Sequence, residues 1–191
     1  KDKKLKVILD TKKKCPFLKT RQIDEELLFF ELSQSIVGQQ ISAKAAEAIW
    51  GRIVDSSKKE NSFIKAMAKS NLRWARSQGL SQRKYEYIKS IAKSILTSKL
   101  SLEAIENLNN REAIEFLSSI KGIGPWTAEM FLMFAYRRLD VFSIGDIALR
   151  RAISEVYKVD DSDHNKMLKI SKNWSPYRSV VCWYLWEYLG V

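Results

Sequence analysis

Leu117-Ser118-Ser119-Ile120-Lys121-Gly122-Ile123-Gly124-Pro125-Trp126-Thr127-Ala128 joins the end of one helical pattern to the start of another. Gly122 suits a positive φ just past the first helix, where a Cβ would be strained. Pro125 suits the first turn of the second helix, where its missing N–H is no loss. Two helices joined by so tight a turn form a hairpin. Its turn amides and the second helix's N-terminus can face an anion. Gly-x-Gly alone reads equally as a plain helix–helix turn.

Outward from the hairpin, the chain reads as helices. After Asp24, the residues Leu27, Leu28, Leu32, Ile36 and Val37 recur at helical spacing. Gly38-Gln39-Gln40-Ile41 interrupts, and Ser42 reads as the N-cap of a helix over 43–54. A weaker helix covers 61–69. Gly79-Leu80-Ser81 is a break, with Ser81 capping a helix whose stripe is Tyr85, Ile88, Ile91, Ala92 and Ile95. Ser101 and Asn110 cap short helices over 102–108 and 111–119. Beyond the hairpin, a helix over 126–138 ends in Arg137-Arg138. An extended piece, 140–144, leads to Gly145-Asp146 and a helix bearing Arg150 and Arg151. Two more helices cover 163–171 and 175–189. About ten helices and no sheet predict an all-α fold. With 7 glycines and 3 prolines in 191 residues, the chain is too poor in turn-formers for a many-stranded sandwich or barrel.

Composition bounds the function. Lys and Arg number 33 against 22 Asp and Glu, a net charge of +11, which points to an anionic partner, nucleic acid ahead of a membrane surface. Lys1, Lys3, Lys4, Lys6, Lys12, Lys13, Lys14, Lys19 and Arg21 face only Asp2 and Asp10. This basic arm reads equally as a phosphate contact or a solvated face. Cys15 and Cys182 are the only cysteines, too few for a four-cysteine zinc or iron–sulfur site, and a disulfide framework is not expected. The chain therefore reads as intracellular. His164, the sole histidine, lies in the polar run 160–165 and reads as a surface residue. Mechanisms that need a histidine base lose their candidate, which leaves carboxylates as the acid–base or electrostatic groups. No apolar run reaches membrane-spanning length, and no signal-peptide pattern opens the chain.

From about residue 24 onward, five segments in order resemble the helix-hairpin-helix (HhH-GPD) DNA glycosylase superfamily, most of all its 3-methyladenine DNA glycosylase II branch. They are Ile36-Val37-Gly38-Gln39-Gln40-Ile41-Ser42; Gly79-Leu80-Ser81 with Lys84 and Tyr87; Gly122 through Ala128; Val141-Phe142-Ser143-Ile144-Gly145-Asp146; and Trp174-Ser175-Pro176-Tyr177-Arg178-Ser179. The resemblance implies a two-lobed all-α fold of a single unit, 1–191. A central lobe of about 31–134 would carry the hairpin at 117–128, residues 1–30 with 135–191 would form the second lobe, and a cleft between them would take a flipped base.

The same resemblance implies roles. Asp146, twenty residues after Trp126, matches the catalytic aspartate. Trp126 stands where bifunctional members carry a Schiff-base lysine, so no β-lyase activity is expected. Trp126, Trp186 and Met130 match the base pocket, Met130 standing where a tyrosine is usual. Gln40 matches the wedge that fills the gap left by the flipped base; that wedge is commonly apolar. Gln39, Gly122, Gly124 and Thr127 match DNA-binding positions. The carbonyls of Ser118, Ile120 and Gly122 match positions that can hold Na+ or K+ at the hairpin. No other cofactor is implied. The N-terminal β-rich domain of the bacterial enzyme and the iron–sulfur tail of other members are absent from this sequence.

The implied activity is monofunctional hydrolysis of the N-glycosidic bond of alkylated purines, such as 3-methyladenine and 7-methylguanine. It would leave an abasic site for base-excision repair in double-stranded DNA inside the cell, with the protein acting as a monomer. The residues alone leave alternatives open. Asp146 also reads as the N-cap of the helix after it, and Gln39 and Gln40 also read as residues satisfying turn backbone. A non-catalytic helix-hairpin-helix DNA-binding module would keep the glycines but has no need of Asp146 and Trp126 together. A glycosylase for other damaged or mismatched bases would keep both.

Overall fold

A computed structural model describes residues 2–9 and 13–190. Lys1, Asp10 and Lys12 of the basic arm lie outside the described residues. Among the described residues there are eleven α-helices and no strand: α1 Lys3–Leu9, α2 Glu25–Gly38, α3 Ala43–Ser57, α4 Phe63–Lys69, α5 Leu72–Ser77, α6 Gln82–Leu96, α7 Asn110–Ser119, α8 Pro125–Phe134, α9 Ile147–Tyr157, α10 His164–Lys172 and α11 Arg178–Leu189. Short 3-10 helices stand at Pro16–Leu18 and Glu103–Asn107. Among the described residues, no helix is long and apolar enough to cross a membrane. The chain forms two compact units, Gln22–Phe131 and Lys1–Arg21 with Leu132–Val191.

The unit Gln22–Phe131 packs around α2. Leu28, Phe29, Leu32 and Ile36 of that helix are fully buried, as are Ile53, Ile88, Leu102, Ile105 and Leu117 from its neighbours. Phe30 of α2 meets Trp50 of α3 and Phe63 of α4 in edge contacts with ring centroids 4.7 and 5.1 Å apart. The first turn of α2 caps two other elements. Glu26 accepts from Ser62 Oγ and from the Phe63 N–H at 3.0 Å, at the start of α4. Glu25 accepts from the Leu102 N–H at 2.7 Å, and its own N–H donates to Glu103 Oε1 at 2.9 Å, at the second 3-10 helix.

Ser42 and Ser81 cap α3 and α6 as their sequence positions predict, accepting from the Ala45 and Lys84 N–H groups. Several elements differ from the sequence pattern. α5 was not anticipated: six residues are too few for a periodic signal, and Asn71 starts it by accepting from the Trp74 N–H at 2.9 Å. Asn109, not Asn110, caps α7, because Glu112 three residues on returns a bond to the Asn109 N–H and completes a capping box. α8 stops at Phe134 rather than 138: Arg137 turns to φ 55°, and the Arg138 N–H bonds back to Leu132 O at 3.1 Å.

In the other unit, α9 and α11 pack together with α1. Leu149, Ala152, Ile153, Met167, Cys182 and Leu185 are fully buried. α11 begins at Arg178 rather than 175, since Trp174–Tyr177 closes a turn through the Tyr177 N–H on Trp174 O at 2.8 Å. Its N-terminus is pinned by Asp140, whose carboxylate accepts from Arg178 Nε at 2.7 Å and from Ser175 Oγ at 2.9 Å. The Val141 N–H donates to Ser179 Oγ at 2.9 Å, so the segment leading to Asp146 lies along α11. Cys15 and Cys182 are both free and buried. His164 is exposed at the start of α10.

Candidate active site

In the unit Gln22–Phe131, the turn after α2 and the hairpin between α7 and α8 are tied together. Gln39 is half-buried. Its Nε2 donates to Gly122 O at 3.0 Å and to Thr127 Oγ1 at 3.3 Å. Thr127 is buried. Gln39 and Thr127 are therefore engaged with protein, and they set the hairpin's shape. Gln40, next in sequence, is exposed and sits at φ 57°, a left-handed backbone uncommon outside glycine.

The hairpin needs its first glycine. Gly122 has φ +97°, and a Cβ there would lie 2.1 Å from Tyr87 Cδ2 of α6. At Gly124 a Cβ would meet nothing within 4 Å, so the protein leaves that side open. Gly124 O accepts from the Ala128 N–H at 2.9 Å, so α8 starts here. The positive end of the α8 dipole therefore lies at this turn. Ile120 O accepts from the Ile123 N–H at 3.0 Å, and Gly122 O takes the Gln39 bond. Each is a neutral oxygen with a second lone pair. Among the described residues, no cluster of His, Cys, Asp or Glu could hold a metal ion. Trp126 is 44 % exposed at the start of α8. Met130, half-buried, shares its helix face one turn on.

In the second unit, Asp146 is half-buried and caps α9, its Oδ1 accepting from the Leu149 N–H at 2.7 Å. The N-cap reading of its sequence position is thus observed. Trp186 Nε1 donates to the same oxygen at 3.1 Å. Trp186 is only 8 % exposed, and its ring stacks on Phe134 with centroids 5.9 Å apart. Arg150, one turn into α9, returns a guanidinium N–H to Ile144 O at 3.0 Å, which ties down the loop before Asp146. Cys182 is fully buried on α11 one turn before Trp186. Burial pushes its thiol pKa well up, and the charge of Asp146 adds to the rise, so it stays a thiol. Phe134 and the Arg150 contact lie outside the residues that the sequence pattern assigns to the site. Phe134 carried a signal, its four-residue spacing from Met130; the Arg150 contact depends on loop geometry and carried none.

Residues 34–176 match the family model of the HhH-GPD superfamily of base excision DNA repair proteins. The chain belongs to that family. DNA-3-methyladenine glycosylase 1 of Schizosaccharomyces pombe is 32% identical over 170 residues, which cover 87% of this chain and 75% of that one. The crystal structure of DNA-3-methyladenine glycosidase from Bacillus halodurans superposes with a TM-score of 0.84 at 34% identity, covering 100% of this chain and 86% of the other. The S. pombe 3-methyladenine DNA glycosylase in complex with abasic DNA gives a TM-score of 0.78 at 28% identity, covering 100% of this chain and 93% of that one.

Proposed function

We propose that this protein is a monofunctional DNA glycosylase that extrudes alkylated purines, of the 3-methyladenine and 7-methylguanine type, from duplex DNA and hydrolyses their N-glycosidic bond. The observation that carries the reading is the Asp146 carboxylate, aimed by two donors on one oxygen. Relatives named as 3-methyladenine DNA glycosylases, one of them in complex with abasic DNA, support it.

The chemistry follows from the residues. A purine stacked in duplex exposes neither face of its glycosidic carbon to attack, so the nucleotide is flipped out. Gln40 fills the vacated space. Turn amides around Gly122 and Gly124 and the first turn of α8 grip phosphate. Ser118, Ile120 and Gly122 carbonyls would hold Na+ or K+, which supplies positive charge toward the same phosphate. Net charge of +11 draws the polyanion in. Trp126 and Met130 receive the base; an alkylated purine is cationic, and a cation over an indole gains about 0.5–2 kcal/mol.

The C1′–N bond then breaks with its electron pair leaving on the base, whose positive charge is cancelled. Asp146 stabilises the oxocarbenium character left on the sugar. Water adds at C1′, and Asp146 takes its proton as the C1′–O bond forms. With Trp126 rather than lysine, no Schiff base forms and the strand is left intact. The protein acts as a monomer wherever cellular DNA lies.

The test is base release from methylated duplex DNA, with strand breaks scored before and after alkali. Asp146→Asn keeps a cap oxygen for Leu149 but removes the charge. It lowers release by roughly 10²–10³-fold while DNA binding persists, and wild-type strands break only after alkali. Folded wild-type protein that binds DNA but releases no methylpurine would leave the non-catalytic module as the answer.

A further inference from the structure

Lys84 lies in the first turn of α6, and its side chain reaches across to the end of α2. The ammonium Nζ donates to Val37 O at 2.8 Å and to Gln39 O at 2.6 Å. These carbonyls sit where a helix ends with unpaired acceptors and a negative dipole end. α2 has no basic residue of its own in its last turn, so the cation comes from another helix. Burial and the neighbouring charge of Arg83 hold the Lys84 pKa below the ordinary lysine value.

The residue after Gln39 is Gln40, exposed and left-handed at φ 57°. A residue in that conformation persists where the surrounding structure holds its backbone. Lys84 holds the carbonyl immediately before it, and the Gln39 amide ties the same residue to Gly122 O and Thr127 Oγ1. Tyr87, three residues along α6 from Lys84, packs against Gly122 and lies on the same face of the helix. One face of α6 thus fixes both the Gln40 turn and the hairpin.

We infer that Lys84 is a positioning residue for base extrusion, its ammonium clamping the Gln39 carbonyl so that Gln40 projects as the wedge. It touches neither base nor sugar. The inference rests on the wedge role proposed for Gln40. It predicts that Lys84 matters in proportion to the work of opening a base pair, and not to bond cleavage.

The experiment is single-turnover release of 7-methylguanine from two duplexes, one with the lesion paired to cytosine and one with it opposite an abasic site, where extrusion is easier. Lys84→Met, Gln40→Ala and the double variant are compared with wild type, with melting temperatures recorded. Lys84→Met lowers release from the paired lesion by roughly ten- to a hundredfold and from the unpaired lesion several-fold less. The double variant is no slower than Gln40→Ala. Equal loss on both duplexes, or multiplying effects in the double variant, overturns the positioning role while leaving the wedge standing. A Gln40→Ala protein indifferent to pairing overturns the wedge and this inference with it, with the glycosylase activity untouched. If Lys84→Met unfolds, Lys84→Gln, too short to clamp both carbonyls and uncharged, is judged by the same criteria.

Discussion

Trp186 is matched by sequence to the base pocket, yet its indole N–H is bonded to Asp146 and its ring lies buried against Phe134. Such a bond to a charged acceptor is worth about 1.5–3 kcal/mol. Trp186→Phe keeps an aromatic ring for Phe134 and deletes the donor. Steady-state kinetics on methylated DNA then show kcat down by roughly ten- to a hundredfold with KM little changed. A rise confined to KM would place Trp186 in base binding instead. At this scale the sequence carried residue types but not directions. Asp146 was legible as a cap and as a catalytic match, and Trp126 as the opening of a helix. Which way the Trp186 indole and the Gln39 amide turn depends on side chains distant in sequence.

The hairpin is the element whose reading survived most fully, because its constraints are local. Positive φ at Gly122, proline at the first helical position and Ser42 and Ser81 as caps each follow from a few neighbouring residues. Where element ends depend on remote or competing bonds, the sequence misled: Arg137 ends α8 early, and Asn109 takes the cap of α7. Gly122→Ala tests the hairpin as an element. The new Cβ would overlap Tyr87 and sit at φ +97°, so α6 or the turn must move. The variant melts lower by several degrees and binds undamaged duplex more weakly in a fluorescence titration. Gly124→Ala, with open space around it, leaves the melting temperature near wild type but weakens the same binding. Unchanged DNA affinity in both would remove the hairpin from the interface.

For the whole molecule, acid stability is set in part where α11 meets the segment before Asp146. Burial alone would raise the Asp140 pKa. The hydrogen bonds from Arg178 and Ser175, with the Arg178 charge, outweigh it, and the carboxyl lies below the ordinary value of 3.8. A depressed native pKa means stability that is present above the ordinary value and drains away as pH falls through the native one. Melting curves from pH 7 to pH 2 therefore decline below about pH 4. Asp140→Asn melts lower at pH 7 and shows a shallower acid decline; an unchanged decline would assign it to other carboxylates. A different consequence follows from the first turn of α2, where Glu26 holds the start of α4 and Glu25 the 3-10 helix at Glu103–Asn107. Fraying at that turn would strip three segments of their end bonds at once. Their amides then exchange with solvent deuterium as one cooperative foldon rather than as three independent ends.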